Sequence, residues 1–349
     1  MSYPLIILGA GASHDFLKRE DYPRADTGLD LWIPPMTNQL FNGVQFQTLI
    51  IKYHEMNEVV GYIRGKIRRS HPDTTFEGIL TKLYQDGVKS SPELYKSFIA
   101  LLFYLSELFG TITRNYYRPH NNYDSLKQII RLNGNKAVFV NFNYDLLLER
   151  SLGKDGFESL DQYLSENFPI IKIHGAYNWF WNRFVNAFGD EKKDCYELSL
   201  NIAEALFKSD DSKQKWELVI NTTKYPKNLR ALKVDSLRAY SLHPAIALPL
   251  IGKNNFVCPP SHIDFLKNKL TEIDRIVIIG WKVADPFLKE LLLDVLQSRT
   301  LPVAFVGGSG VDNTVKSLDQ NLQKNIKLVN NKGFSDFVSS EDGENFFSN

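Results

Sequence analysis

The strongest constraint on the fold is a short apolar run that ends in a glycine-rich turn. Residues 5–8 are continuously apolar and are followed directly by the sequence GAGAS at 9–13. A run of this kind is typical of a strand that is covered on both faces of a parallel sheet. Small residues after such a strand are typical of a loop that approaches a phosphate group.

The same pattern of short apolar runs recurs later in the chain. It predicts further strands at 137–141, 169–173, 275–279 and 302–306. Helical patterns follow three of them, at 144–152, at 286–296 and, more weakly, after Val311. Strands alternating with helices predict an α/β fold with a doubly wound parallel sheet, in which ligands bind at the carboxyl edge.

Two stretches interrupt this alternation. The stretch from about 36 to 132 is tyrosine-rich and shows helical periodicity, with helices predicted at 46–69, 76–84 and 92–117. The second stretch, about 178–243, carries Trp179, Trp181 and Trp216 among polar runs and predicts an insertion with no sheet element. We therefore predict one domain over 1–349 that contains two insertions.

Composition excludes several classes of protein. The chain of 349 residues has 41 Lys and Arg against 40 Asp and Glu, a formal charge of +1, so neither direct nucleic-acid binding nor binding to an anionic membrane is expected. Two cysteines, Cys195 and Cys258, favour a reducing cytoplasm and are too few for an all-cysteine zinc site. We expect no metal, no signal peptide and no membrane span, because Ser106, Glu107 and Gly110 interrupt the most apolar helix.

The glycine loop has two interpretations. Gly9 and Gly11 would let backbone N–H groups approach a diphosphate, or they would serve close packing in a tight turn. A dehydrogenase fingerprint is disfavoured, because His14 occupies its third glycine position and no acidic residue ends a second strand about 20 residues later.

Polar side chains follow two other predicted strands. The sequence NFNYD at 141–145 places Asn143 and Asp145 where a strand ends and a helix begins, so they could bind a ribose or simply cap the helix. The sequence KIHG at 172–175 places His174 at the end of the next strand, where it could be a base or a structural residue.

Two later strands end in glycine. The sequence IIGWKVADP at 278–286 places Gly280 at the end of a strand, before a helix that begins at a proline. Gly280 could allow the backbone to approach a nucleotide closely, or the segment could be an ordinary loop between a strand and a helix. Gly307, in GGSG at 307–310, could receive an adenosine or belong to a flexible turn. Cys258 and His262 have too few partners for a metal site.

Taken in order, GAGAS, NFNYD, KIHG and IIGWKVADP resemble the sirtuin-like NAD-consuming fold, most closely the sirtuin-like NAD hydrolases of bacterial antiphage defence. The resemblance covers the first 15 residues and roughly 138–175 and 275–308. It implies a Rossmann-like, sirtuin-like sheet and the following site. The implied catalytic residues are Asn143, His174 and Asp145, and the implied cofactor-binding residues are Gly9, Ala10, Gly11, Ser13 and Gly280, of which Gly280 would face the adenosine ribose. Gly307 is a further candidate for binding the adenosine.

The departures from the family are informative. Phe142 stands where protein deacylases usually carry glutamine. After Gly280, where the family often has serine, this chain has Trp281 and Lys282. The paired CxxC zinc module is absent from the sequence. The resemblance therefore implies cleavage of NAD by water to nicotinamide and ADP-ribose in abortive infection, with NAD as the substrate, a homo-oligomer, and a hexameric HerA-type ATPase as partner.

A second hypothesis is a module that senses NAD or ADP-ribose without turnover and regulates a partner protein. Both hypotheses use the glycine loops. His174 beside Asn143 favours the hydrolase, because a sensor needs no base.

We predict no stoichiometric structural zinc, because Cys195 and Cys258 are the only thiols and lie far apart in the sequence. Elemental analysis of the purified protein should find no tightly held zinc. One zinc per chain, with unfolding on chelation, would contradict this prediction.

Overall fold

A computed structural model describes residues 3–18, 21, 28, 32–69, 76–87, 91–165, 167–185, 195–201, 217–220, 239–248 and 257–348. The polar runs at 189–194 and 210–215 and the predicted insertion residue Trp216 lie outside the described residues. The chain divides into two compact units. The first comprises Met1–Met36, Ile112–Gly175 and Asn254–Asn349, and the second Thr37–Thr111 and Ala176–Lys253.

The regular elements are as follows. The strands are β1 (Tyr3–Leu8), β2 (Val138–Asn141), β3 (Ile170–Ile171), β4 (Gly175–Val185), β5 (Glu217–Ile220), β6 (Ala239–Ile246), β7 (Ile273–Ile279), β8 (Val303–Val306) and β9 (Ile326–Asn330). The α-helices are Ala10–His14, Gly43–Ile50, Asn57–Arg69, Phe76–Gly87, Pro92–Tyr116, Asn122–Leu132, Leu147–Leu152, Cys195–Asn201, Pro260–Lys269, Pro286–Ser298, Val311–Lys316, Gln320–Asn325, Phe334–Ser339 and Glu341–Ser348.

The first unit is built on a six-stranded parallel sheet in the order β3-β2-β1-β7-β8-β9. The chain extends this sheet outward from β1 in one direction through β2 and β3 and then in the other through β7, β8 and β9. The predicted α/β fold with a doubly wound parallel sheet is therefore confirmed. All six residues of β1 and all four of β2 and β8 are buried, as the continuous apolar runs predict. β9 was not predicted, because its residues IKLVN alternate between half-buried and exposed positions and form no apolar run.

The second unit contains helices between residues 37 and 111 and a three-stranded sheet in the order β5-β4-β6. The prediction that 178–243 holds no sheet element is wrong, since β4 and β5 pair in antiparallel register there. Trp179 and Phe180, which are consecutive in β4, are both buried. The strand therefore lacks the alternation of apolar and polar residues that would have revealed it.

The helix Pro92–Tyr116, predicted at 92–117, is long and apolar enough to cross a membrane by length and composition, with a mean hydropathy of 1.2 over 18 residues. Of that window, 78% is buried inside the fold, so packing accounts for its apolar composition. Its polar residue Ser106 is buried and donates a hydrogen bond to the Tyr177 carbonyl at 2.6 Å.

Three glycines join the loop after β1 to the end of β7. Gly11 donates its N–H to the Gly280 carbonyl at 3.1 Å. A Cβ atom on Gly9 would lie 2.5 Å from the Gly280 carbonyl oxygen, and one on Gly11 would lie 2.8 Å from Gly280 Cα. A Cβ atom on Gly280 would lie 2.4 Å from the backbone nitrogen of Ala12, and Gly280 has a φ of +62°. The two backbones therefore approach each other only because all three side chains are absent.

We expect Gly280→Ala to lower the free energy of unfolding by at least about 2 kcal/mol, because it combines a left-handed backbone with a steric clash against backbone atoms. Urea denaturation measures the effect. Gly308→Ala is the matched control, since a Cβ atom there meets nothing within 4 Å. Equal stability of the two variants would show that the two loops do not pack as described.

Candidate functional site

The candidate site lies at the carboxyl edge of the parallel sheet. Leu8 at the end of β1 pairs with Asn141 on one side and Ile279 on the other, so β1, β2 and β7 end at the same level. The direction of winding reverses between β1 and β7. Open α/β sheets bind their ligands at this position, which is where the loops carrying Gly9 and Gly280 meet.

The glycine loop is fixed by packing. The contacts with Gly280 account for Gly9 and Gly11 without any ligand, which is the packing alternative that the sequence left open. Ala10 is half-buried and begins a helix of five residues. Ser13 is buried, and its hydroxyl lies 3.2 Å from the hydroxyl of Tyr123. Ser13 thus faces the interior of the first unit in this structure.

Gly307 lies one strand further out, at the end of β8. Its N–H donates to the carbonyl of Asn330 in β9 at 2.9 Å. A Cβ atom on Gly307 would lie 3.2 Å from the side chain of Val311. The three residues after Gly307, which complete the GGSG sequence, are exposed.

Asn143 ties the end of β2 to the glycine loop. Its side chain is buried (6% exposed), and its Nδ2 donates to the Gly9 carbonyl at 3.0 Å. Its backbone N–H donates to Oδ1 of Asn141, which is fully buried, at 3.0 Å. The structure therefore places Asn143 at the predicted edge, with at least one amide hydrogen already used inside the protein.

Asp145 belongs to a buried cluster of charges. Its Oδ1 accepts the Leu147 N–H at 3.1 Å, and its backbone carbonyl accepts a hydrogen bond from Lys172 Nζ at 2.8 Å. Lys172 Nζ also lies 2.9 Å from Glu149 Oε1, and both of these side chains are fully buried. Burial raises the pKa of both the Asp145 and the Glu149 carboxyl, and the positive charge of Lys172 lowers them. Asp145 can influence the site through charge and backbone position.

His174 is a polar side chain of this edge that reaches solvent. It lies in a turn closed by the Gly175 N–H, which donates to the Lys172 carbonyl at 3.0 Å, and Gly175 has a φ of +78°. The side chain of His174 is 24% exposed, and its Nε2 lies 3.5 Å from Oδ2 of Asp285. An imidazole beside a carboxylate at an open edge can accept a proton from a ligand.

An aromatic pair lies beside this histidine. The ring of Phe142 contacts His174 edge to face, with centroids 4.9 Å apart, and stacks on Trp281 at 4.9 Å with an interplanar angle of 13°. Phe142 follows β2 and Trp281 follows Gly280. The departures from the sirtuin pattern at these two positions therefore pack against each other, and Phe142 of this pair contacts His174.

Neither Cys258 nor His262 forms part of this edge's chemistry. Burial raises the pKa of the Cys258 thiol to about 12, and Nε2 of His262 donates a hydrogen bond to the Leu160 carbonyl at 3.1 Å. Among the described residues, no group of three His, Cys, Asp or Glu side chains could hold a metal ion.

Three neighbours of the predicted residues were not predicted from the sequence: Lys172, Glu149 and Asp285. A lysine inside the apolar run IIKI was the available signal for a buried ion pair, because an unpaired lysine there is costly. Asp285 before Pro286 was readable as a helix cap, but its proximity to His174 depends on the pairing of β7 with the rest of the sheet.

The sequence matches no protein-family model and no curated protein sequence. Among solved structures, the chain is similar to a mutant of Sir2 homologues in complex with 2′-O-acetyl ADP-ribose, with 12% identity and a TM-score of 0.44 over 98% of this chain and 90% of that chain. It is also similar to a Sir2 homologue in complex with NAD, with 12% identity and a TM-score of 0.42 over 98% of this chain and 86% of that chain. The chain's own strand order and register establish its fold.

We expect Lys172→Met to lower the free energy of unfolding by about 3–5 kcal/mol at pH 7.5, because two buried carboxylates lose their positive partner. A carboxyl whose pKa is higher in the folded than in the unfolded protein binds more protons when folded. The stability cost of its ionisation therefore grows as pH rises and shrinks as pH falls. The loss should be smaller at pH 5.5, measured by urea denaturation.

Lys269→Met is the control for this prediction, since Lys269 forms an exposed pair with Glu272 at 3.0 Å. It should cost no more than about 1 kcal/mol. A similarly small, pH-independent loss for Lys172→Met would show that the buried cluster is not charged.

Proposed function

We propose that the protein hydrolyses NAD at the bond between nicotinamide and ribose. The observation that carries the proposal is the position of His174: a partly exposed imidazole at the carboxyl edge of a doubly wound sheet, paired with the carboxylate of Asp285 from the loop after β7. The motif order GAGAS, NFNYD, KIHG and IIGWKVADP, which resembles the sirtuin-like NAD hydrolases, supports NAD as the substrate.

The reaction suits this arrangement of groups. The bond from the ribose C1′ to the pyridinium nitrogen breaks, and the electron pair leaves with nicotinamide. A water oxygen bonds to C1′ and loses a proton, which His174 accepts, giving ADP-ribose, nicotinamide and one proton in total. Positive charge develops on the ribose as the bond breaks, so oriented dipoles and nearby carboxylates stabilise the transition state.

The other residues support this step. We assign Asn143 to the orientation of the nicotinamide ribose and of water. Asp145, which is buried, contributes negative charge from beneath the site. We assign the diphosphate to the turn Gly9, Ala10, Gly11 and Ser13, and the adenosine to the strand ends at Gly280 and Gly307.

We also propose a biological setting on the basis of the motif resemblance. The enzyme would act in the cytoplasm and deplete NAD in abortive-infection defence against phage. An unregulated NAD hydrolase would harm its host, so a homo-oligomer, with a hexameric HerA-type ATPase as partner, would control it. Sedimentation that shows a fully active monomer without any partner would contradict this regulation.

One observation favours the alternative, a module that senses NAD or ADP-ribose without turnover. The Asn143 side chain is buried and bonded to the Gly9 carbonyl, so it has a structural role that requires no catalysis. Under this alternative, changes at Asn143 and His174 would alter ligand binding alone.

We expect His174→Ala to lower the rate of nicotinamide release by about 10² to 10⁴-fold, because proton transfer is lost. Asn143→Ala should lower it by about 10² to 10³-fold. The two losses should not add, since both residues serve one transition state. Chromatography of NAD incubations, with and without candidate partners, measures the release.

Thermal melts accompany these assays. His174→Ala should stay folded, whereas Asn143→Ala should lose about 0.5–1.5 kcal/mol, because one hydrogen bond to the Gly9 carbonyl is lost while the Ala12 N–H still donates to that carbonyl at 2.9 Å. The matched control is His54→Ala, since His54 is exposed and lies 3.5 Å from Glu55. Full activity of a folded His174→Ala protein would overturn the proposed mechanism.

A further inference from the structure

We propose that Asp285 is a positioning residue that fixes the tautomer of His174, holding the proton on Nε2 and leaving Nδ1 as the base. The proposal concerns the same site and, for its catalytic consequence, rests on the proposed function. Asp285 itself contacts His174 and the start of a helix.

Each carboxylate oxygen of Asp285 has a separate partner. Oδ1 accepts the N–H of Leu288 at 2.8 Å and so caps the helix Pro286–Ser298. Oδ2 lies 3.5 Å from Nε2 of His174. Capping alone would need one oxygen, and the second oxygen faces the imidazole.

The capping bond also sets the direction of the carboxylate. Asp285 has an extended backbone at the N-cap, with φ −76° and ψ 117°, and Pro286 fixes the first helical residue after it. The side chain of Asp285 is 11% exposed, so few water molecules compete with the imidazole for Oδ2. The helix N-terminus places partial positive charge next to this carboxylate.

The imidazole is confined from its other side. Phe142 contacts its ring at 4.9 Å with an interplanar angle of 73°, and Trp281 stacks on Phe142. Trp281 and Asp285 belong to the same loop after β7. That loop therefore restrains His174 in two ways: Asp285 pairs with the imidazole, and Trp281 stacks on Phe142, which contacts it.

The tautomer of His174 follows from which groups carry a hydrogen that they can donate. A neutral imidazole carries one N–H, and an ionised carboxylate can only accept. The Asp285 carboxylate therefore favours the tautomer with hydrogen on Nε2 and a lone pair on Nδ1. After Nδ1 has taken a proton from water, the same carboxylate stabilises the imidazolium.

The decisive variant is Asp285→Asn. Its amide oxygen can still cap the helix, because asparagine is as good an N-cap as aspartate. Its amide nitrogen then faces Nε2 and can only donate, so the tautomer of His174 should reverse to hydrogen on Nδ1. Two-bond proton–nitrogen spectra of the full chain with ¹⁵N-labelled histidine distinguish the two tautomers, and His174→Gln assigns the signal among the seven histidines.

The matched control is Asp319→Asn. Asp319 also caps a helix, accepting the Asn321 N–H at 2.8 Å, so this variant tests capping at a remote position. It should leave the His174 signal and nicotinamide release unchanged. Asp285→Asn should lower kcat for nicotinamide release by about 10- to 100-fold, part of what a general base supplies, with KM unchanged.

The two readouts separate the two proposals. An Nε2–H signal in the wild type that reverses in Asp285→Asn supports the positioning role, even if the wild type releases no nicotinamide and the proposed hydrolase fails. An Nδ1–H signal in the wild type, or an unchanged tautomer in folded Asp285→Asn, overturns the positioning role, whatever the activity. A fall in kcat without a change of tautomer also overturns it, because a general structural effect would then explain the loss.

Discussion

Backbone contact between two loops determines where every side chain of the candidate site can lie. The turn after β1 and the end of β7 touch through Gly9, Gly11 and Gly280, with no side chain between them. Asn143 bonds to Gly9, and Trp281, which directly follows Gly280, stacks on the ring beside His174. A change in this contact would therefore move the polar and the aromatic parts of the edge together.

Beneath that edge lies a cluster of charges that a hydrophobic core would not need. Replacing a buried ion pair with apolar residues is often neutral or stabilising, so Lys172 and Glu149 are weak evidence for stability as such. Apolar residues could not supply the bond from Lys172 to the Asp145 carbonyl, which links the turn after β2 to the turn that presents His174. The cluster fixes the position of these two loops relative to each other, although burying its charges costs desolvation free energy.

The sequence predicted the strands of the parallel sheet that form continuous apolar runs, because strands covered on both faces have this composition. It missed β9, which is partly exposed, and β4, where Trp179 and Phe180 are both buried. The candidate site was predictable as a set of strand ends, since parallel strands bring their carboxyl ends to one edge. The partner of His174 was not predictable, because Asp285 reaches it through the pairing of strands that are distant in sequence.

The order of the strands also has a consequence during synthesis on the ribosome. β1 is central in the sheet, with β2 on one side and β7 on the other, and about 270 residues separate β1 from β7 in the chain. At roughly 5–20 residues per second, β1 waits about 14 to 54 seconds for its second neighbour. Throughout that interval at least one edge of β1, whose residues are all buried in the finished protein, has no partner, and unpaired edges of this kind promote aggregation. The nascent chain therefore has a stronger need for a chaperone than the finished protein.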